Sequence, residues 1–400
     1  MAEPPPQCRS LAPWSDIPVE LAGLVLLRLR AHVDRVRFAA VCRHWRAAAR
    51  QMPLPPPLPL LALSDGTARG LPDGDPFRLP RHFTNYTDAS GDWLVFVRDK
   101  YCCFLKNAFS DAIVVLPALS RVRAWHVNDA SGHPCMETEG LTVQKVLFCT
   151  PHLVAALVRD EKKFRKEPAR VAVCRPWPSS WWSVLVDHRS PLFVDMAFHQ
   201  GQLYGFDHNK DGLFAIDITV DQSTGDPWVS QVRMVIDRFL TCPFRFVFHE
   251  TIIMQSIYLV ESCGELLMVC RTMHGRWKQY PTGLETGTVI STERNEFEVL
   301  KADFEERQWN KVTTIGDDQV LFLRRRCSRS VCVSEHEMPG DSIVFMQNDD
   351  EDRDWYDEDT LSSCAVYNMK DSKVSSLLPT VSWKRGTVAA TWLFPRESLD

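Results

Sequence analysis

From about Phe83 onward the chain is built of short segments rich in Val, Ile, Phe, Tyr and Trp, cut at roughly even spacing by Gly, Asp, Asn and Ser. Asp92-Trp-Leu-Val-Phe-Val, Ala112-Ile-Val-Val-Leu and Arg170-Val-Ala-Val-Cys are examples. β-Branched and aromatic side chains suit a pleated, half-buried surface, and the small polar residues between them suit turns. No long segment of 3.6-residue period interrupts this pattern. Many short strands without helices between them point to a sandwich, a barrel or a propeller.

Weak internal repetition narrows that choice. Four segments share a layout of apolar strand, then Asn or Asp, then a polar turn, then an apolar return. They run from Cys102 through Asn107 to Leu116, from Leu213 through Asp217 to Trp228, from Val299 through Asp303 to Trp309, and from Ala365 through Asn368 to Leu378. Asn and Asp fit because their short side chains bond the backbone of a turn. Strands of a second form lie between them, such as Gly201-Gln-Leu-Tyr-Gly-Phe and Gly264-Glu-Leu-Leu-Met-Val. Units of about 40–50 residues repeated in this way fit a β-propeller of six or seven four-stranded blades.

The first 52 residues are different. They carry eight Arg against four acidic residues, whereas the whole chain is at −5, which leaves the remainder at about −9. Pro18, Glu20 and the apolar positions Leu21, Leu24, Val25 and Leu29 predict a first short helix. Asp34 is positioned to cap a second helix, from Arg35 to about Arg50, with Val36, Ala39, Ala40, Val41 and Trp45 apolar. Two short apolar helices make no independent core of much worth, so their exposed surface calls for a partner.

Ile17-Pro18-x-Glu20-Leu21, followed by Val41-Cys42-Arg43-x-Trp45-Arg46, resembles the F-box over about residues 14–52. That resemblance implies a Skp-type adaptor, and through it a cullin scaffold, as partners. It implies contacts to the adaptor from Ile17, Pro18, Leu21, Leu24, Val25, Val41 and Trp45. Ile17 stands where Leu is commoner in the family, and Gly23 weakens the first helix. The β-rich region in turn is similar to the kelch-like propeller of a large plant F-box family of the KIB type, most clearly at Met196 to Tyr204 and Trp309 to Phe322. The expected organisation is an F-box at 14–52, a Pro-rich linker at 53–80 and a propeller at 81–395. Five prolines between Pro53 and Pro59 predict an extended spacer, and Gly66 to Asp75 reads as a surface turn.

Composition sets further limits. Mean hydropathy is −0.19 and 24% of residues are charged, which fits a soluble chain able to bury a core. The run Leu21 to Leu27 is far below the ~20 apolar residues that a membrane span needs, and no basic-then-apolar leader is present. The expectation is an intracellular protein, cytoplasmic or nuclear, with no membrane and no nucleic acid among its partners. The 13 cysteines contain no Cys-x-x-Cys and read as buried reduced thiols.

A search for chemistry leaves no constellation standing. Gly-x-Ser-x-Gly, a phosphate-cradling glycine loop and His-Glu-x-x-His are all absent. Asp207 to Gly212 matches the opening of a calcium loop, but the twelfth position is Ile218 where a bidentate Glu is needed. Asp349 to Asp359 carries eight acidic residues in eleven and reads as a solvated loop. Arg324-Arg325-Arg326 reads as a solvated turn, and Trp181-Trp182 as blade packing. The expectation is therefore a non-catalytic substrate receptor of a ubiquitin ligase, without metal or cofactor, whose propeller holds a target protein. The alternative is an interaction scaffold with no ligase coupling.

Overall fold

The computed structural model describes residues 14, 17–29, 32–52, 54, 57–71, 75–98, 102–110, 112–125, 141–160, 169–176, 181–185, 191–207, 210, 212–237, 245–248, 250–279, 287–334, 338–347, 361–377, 382–384 and 390–395. Three helices come first: α1 (Val19–Arg28), α2 (His32–Val41) and α3 (Arg43–Gln51). Every strand that follows belongs to one of six sheets, which are the blades of a β-propeller.

Blade one pairs Ala390–Leu393 with Leu60–Leu63, followed outward by Thr67–Gly70 and Pro76–Arg78. The ring is therefore closed by joining the two ends of the domain, with Leu60 opposite Leu393 and Leu63 opposite Ala390. Blade two contains Asp88–Ser90, Trp93–Arg98, Cys102–Asn107 and Ile113–Val115. Blade three runs Leu141–Thr150, Leu153–Asp160, Arg170–Cys174 and Trp182–Leu185, with Val122–Trp125 added in parallel to the last. Blade four contains Asp195–His199, Gln202–Asp207, Gly212–Val220 and Pro227–Ile236.

Blade five contains Arg245–Phe248 and Gln308–Val312 around three long strands, Thr251–Ser262, Glu265–Gln279 and Gly287–Asp303. Blade six is the least regular. Gln319–Leu323 lies antiparallel to Arg329–Cys332 and parallel to Ser342–Gln347, and Leu361–Asn368 then carries both Val374–Ser376 and Ser382–Lys384.

Apolar side chains fill each gap between neighbouring blades, which is how a propeller buries both faces of every sheet. Blades two and three share Leu105, Val154 and Trp182, and blades three and four share Leu157, Met196 and Ile216. Phe206, Leu259 and Met268 join blades four and five, and Val269, Leu321 and Phe345 join five and six. The largest cluster completes the circle, with Phe322 and Val344 of blade six, Leu61 and Trp392 of blade one and Leu94 of blade two. Trp392 is fully buried, packs edge-on to Phe322 at 5.3 Å and donates its indole N–H to Leu323 O at 3.3 Å.

Several expectations change here. The interval 53–80 is not a linker throughout, because Leu60–Leu63, Thr67–Gly70 and Pro76–Arg78 are blade strands. Only the sheet partner at the far end of the chain makes them so. The described strands form six blades, the lower of the two numbers expected. The single second helix is two helices broken at Cys42, and Asp34 sits inside α2, where it pairs with Arg37 at 3.0 Å. Arg326 is not simply solvated: its guanidinium lies 3.4 Å from buried Asp88, tying blade six to blade two.

The four repeats turn out to be the connections into an edge strand of blades two, four, five and six, namely Ile113–Val115, Pro227–Ile236, Gln308–Val312 and Val374–Ser376. Asn107 Oδ1 accepts the N–H of Phe109, Asp303 Oδ1 those of Glu305 and Glu306, and Asn368 Oδ1 that of Lys370. In blade four Asp217 pairs instead with Arg233, and Asp221 takes the turn role, accepting from Ser223 and Thr224.

Candidate functional site

The helices form a small unit of their own. Ala22 and Leu26 of α1, Phe38 of α2 and Ala48 and Ala49 of α3 make its buried centre. Pro18 precedes α1 with φ −53° and ψ 144°, and its carbonyl accepts the Ala22 N–H at 3.0 Å. Gly23 costs helix propensity but is needed for close approach: a Cβ there would lie 2.7 Å from Met52 Sδ. Arg35 is buried and donates from Nε to Leu29 O at 2.9 Å, which pins the end of α1 to α2. At the break, Cys42 is extended and its Sγ accepts the Trp45 N–H at 3.4 Å, capping α3.

With the inward positions of α1 occupied by small residues and Leu26, its large apolar residues point away from the unit. Leu21 is 52% exposed, Leu24 58% and Val25 40%. Together with Trp14, Ile17, Arg28 and Leu29 they line one apolar groove. Two hydrogen bonds set its mouth. His44 Nε2 donates to Ile17 O at 2.7 Å, and Trp45 Nε1 donates to Trp14 O at 3.1 Å.

Of the seven residues expected to face a partner, Ile17, Leu21, Leu24 and Val25 therefore meet in one place, with Pro18 exposed beside them. Val41 is 60% exposed but does not line the groove. Trp45 is half-buried against Phe38, with ring centroids 4.4 Å apart, so it holds the unit together and fixes Trp14. Trp14 and Arg28 were not anticipated. An aromatic residue three positions before Ile17 was the available signal for Trp14. A second surface, along α3, presents Arg43, Arg46 and Arg50.

The described residues contain no group of three or more His, Cys, Asp or Glu arranged to hold a metal. Burial pushes the thiols of Cys149, Cys270 and Cys327 up to about 12, far from a reactive thiolate. Asp207 spends its carboxylate on the N–H groups of Leu192 and Lys210, while 208, 209 and 211 lie outside the described residues, as does the acidic run 349–359. Trp182 is fully buried and donates to Pro117 O at 2.8 Å, as blade packing requires. No helix among the described residues is long and apolar enough to cross a membrane.

Known proteins resemble the chain over most of its length. Over 381 residues the chain is 21% identical to the Arabidopsis thaliana protein named "Putative F-box protein At2g04810", covering 90% of this chain and 89% of that one. Over 392 residues it is 20% identical to "Putative F-box protein At3g25750" of the same plant, covering 90% and 93%. A 36-residue stretch is 44% identical to the Arabidopsis "F-box protein At2g17690", 9% of each chain. The family model described as the KIB1-4 beta-propeller matches residues 68–368, the span that holds blades two to five complete and parts of blades one and six. The chain belongs to the KIB1-4 beta-propeller family.

Proposed function

We propose that this protein is a substrate receptor of a Skp-cullin-F-box type ubiquitin ligase. The observation that carries the reading is the groove of Trp14, Ile17, Leu21, Leu24 and Val25, an apolar surface on a helical unit too small to leave it uncovered without a partner. The partner is an apolar surface of a Skp-type adaptor, which links to a cullin scaffold. Relatives named as F-box proteins along nearly their whole length support it. The propeller holds the target protein, and loops at a blade face are where such a ring varies its contacts.

In this reading no residue of the chain does covalent chemistry, and no cofactor is required. The receptor contributes proximity, raising the local concentration of a target lysine beside ubiquitin carried by a separate enzyme, inside the cell. The test is co-purification of a Skp-type adaptor with the full chain and with a Leu21→Ala/Leu24→Ala double variant, which changes two exposed residues of the groove. Adaptor recovered with the first and lost with the second supports docking. Equal recovery contradicts it, and a folded wild-type chain that recovers no adaptor leaves the uncoupled scaffold as the better account.

A further inference from the structure

Arg43, Arg46 and Arg50 recur at i, i+3 and i+7 along α3, which brings three guanidiniums to one exposed face. With Ala47 and Gln51 they line an open concavity of about 350 Å³. Ala48 and Ala49, on the opposite side of the helix, are buried in the centre of the helical unit. Arg46 Nε donates to Ala39 O at 3.1 Å, which holds that guanidinium at the α2–α3 elbow and leaves its Nη groups for a ligand. Among the described residues no carboxylate pairs with any of the three. Those of the helical unit include only Glu20 and Asp34 as acids, and Asp34 is taken by Arg37 at 3.0 Å. The placement works against the helix itself. Arg43 opens α3, where the dipole disfavours a cation, and no acidic residue stands in the first turn. Like charges three and four residues apart repel as well. Three uncompensated cations that weaken their own helix point to a ligand that neutralises them.

We propose that the outward face of α3 is a docking surface for an acidic segment of a partner protein, rich in Asp and Glu. The planar fork of a guanidinium matches the two oxygens of a carboxylate. From Arg43 to Arg50 the helix rises about 10 Å, room for about three acidic side chains. Nucleic acid is the poorer fit. Its binders neutralise about 6–10 phosphates, and the rest of this chain, at about −9, repels a polyanion. A membrane surface lacks its apolar anchor here, because only Ala47 and Gln51 accompany the arginines. The surface shares no residue with the groove of α1, so the inference does not rest on the ligase reading.

The experiment titrates the full chain into a fluorescein-labelled peptide of alternating Asp and Glu and follows anisotropy. A peptide of alternating Asn and Gln is the neutral control. Wild type is expected to bind the acidic peptide saturably and to leave the neutral one free. Arg43→Gln/Arg50→Gln, which spares the bond of Arg46, is expected to bind about tenfold more weakly at unchanged Tm, the worth of two exposed ion pairs. If the double variant folds poorly, Arg50→Gln alone gives the reading, with affinity lowered severalfold. Leu21→Ala/Leu24→Ala, altered only in the groove, is expected to bind as wild type does. No preference of wild type for the acidic peptide overturns the surface, as does equal binding by the arginine variants or loss of binding in the groove variant. Tighter binding of a single-stranded oligonucleotide of equal charge also overturns it. So does self-association of the chain in sedimentation that the arginine variants abolish, which would assign the face to a second copy.

Discussion

Lys145 Nζ lies 2.6 Å from Asp195 Oδ1, with the two side chains 4% and 0% exposed, and this pair sets blade three against blade four. Asp195 Oδ1 also accepts the N–H of Met196 at 2.8 Å, and Oδ2 accepts that of Leu259 in blade five at 2.8 Å. One carboxylate thus links three consecutive blades. Burial pushes the Asp195 carboxyl up, and the Lys145 ammonium and the two backbone N–H groups oppose that push. Removing the ammonium alone strands a buried charge. Lys145→Met is expected to cost about 3–5 kcal/mol in urea unfolding. Adding Asp195→Asn to it should cost less than the sum of the two single changes, because the stranded charge disappears. Strict additivity would remove the ion pair from the account.

The closing strand makes a second prediction. Trp392 fills the junction of blades six and one and bonds Leu323 O. Trp392→Ala is expected to destabilise by about 3–5 kcal/mol, as large aromatic truncations in cores do. Amide exchange should then rise first in Leu60–Leu63, its neighbour in the sheet. A loss below about 1 kcal/mol, within the range of surface substitutions, would mean that the two ends of the ring do not depend on each other.

The helical unit carries a pH dependence with a definite sign. His32 opens α2, is buried, and meets Phe109 of blade two edge-on at 5.4 Å. Burial, and then the charge of Arg35, lowers its pKa from 6.5 to about 4. The folded form therefore favours neutral His32. Its contribution is fully present above pH 6.5 and is lost as pH falls from 6.5 toward about 4. The shift corresponds to roughly 3 kcal/mol at ~1.36 kcal/mol per unit. Stability curves of wild type and His32→Gln across that window should converge as pH falls. Parallel curves would contradict the assignment.

Inward and outward residues of α1 should separate cleanly. Leu26 is fully buried whereas Leu24 is 58% exposed. Leu26→Ala is expected to cost about 2–5 kcal/mol within the helical unit, and Leu24→Ala close to nothing. Exchange rates along α1 report both. Equal losses would mean that the groove is not a surface.

Much of this was legible from local chemistry. The helical unit announced itself at both ends, through Ile17-Pro18 and through Val41 to Arg46. Asn107, Asp303 and Asn368 marked true turns, because an Asx side chain bonding its own backbone is a local event. What escaped was non-local or geometric. Leu60–Leu63 is a four-residue apolar run whose partner lies some 330 positions away, at Ala390–Leu393. Cys42 divides two helices by its backbone angles and a sulfur cap, neither of which its residue type signals.

The groove of α1 is the centre of the functional account, and a titration tests it most directly. A purified Skp-type adaptor is titrated calorimetrically into the full chain and into a Leu21→Asp/Val25→Asp variant that matches wild type in Tm. The account predicts saturable one-to-one binding to wild type, weakened by about a hundredfold or more in the variant, as expected when central apolar anchors of an interface are lost. Binding of equal strength to both chains would contradict it.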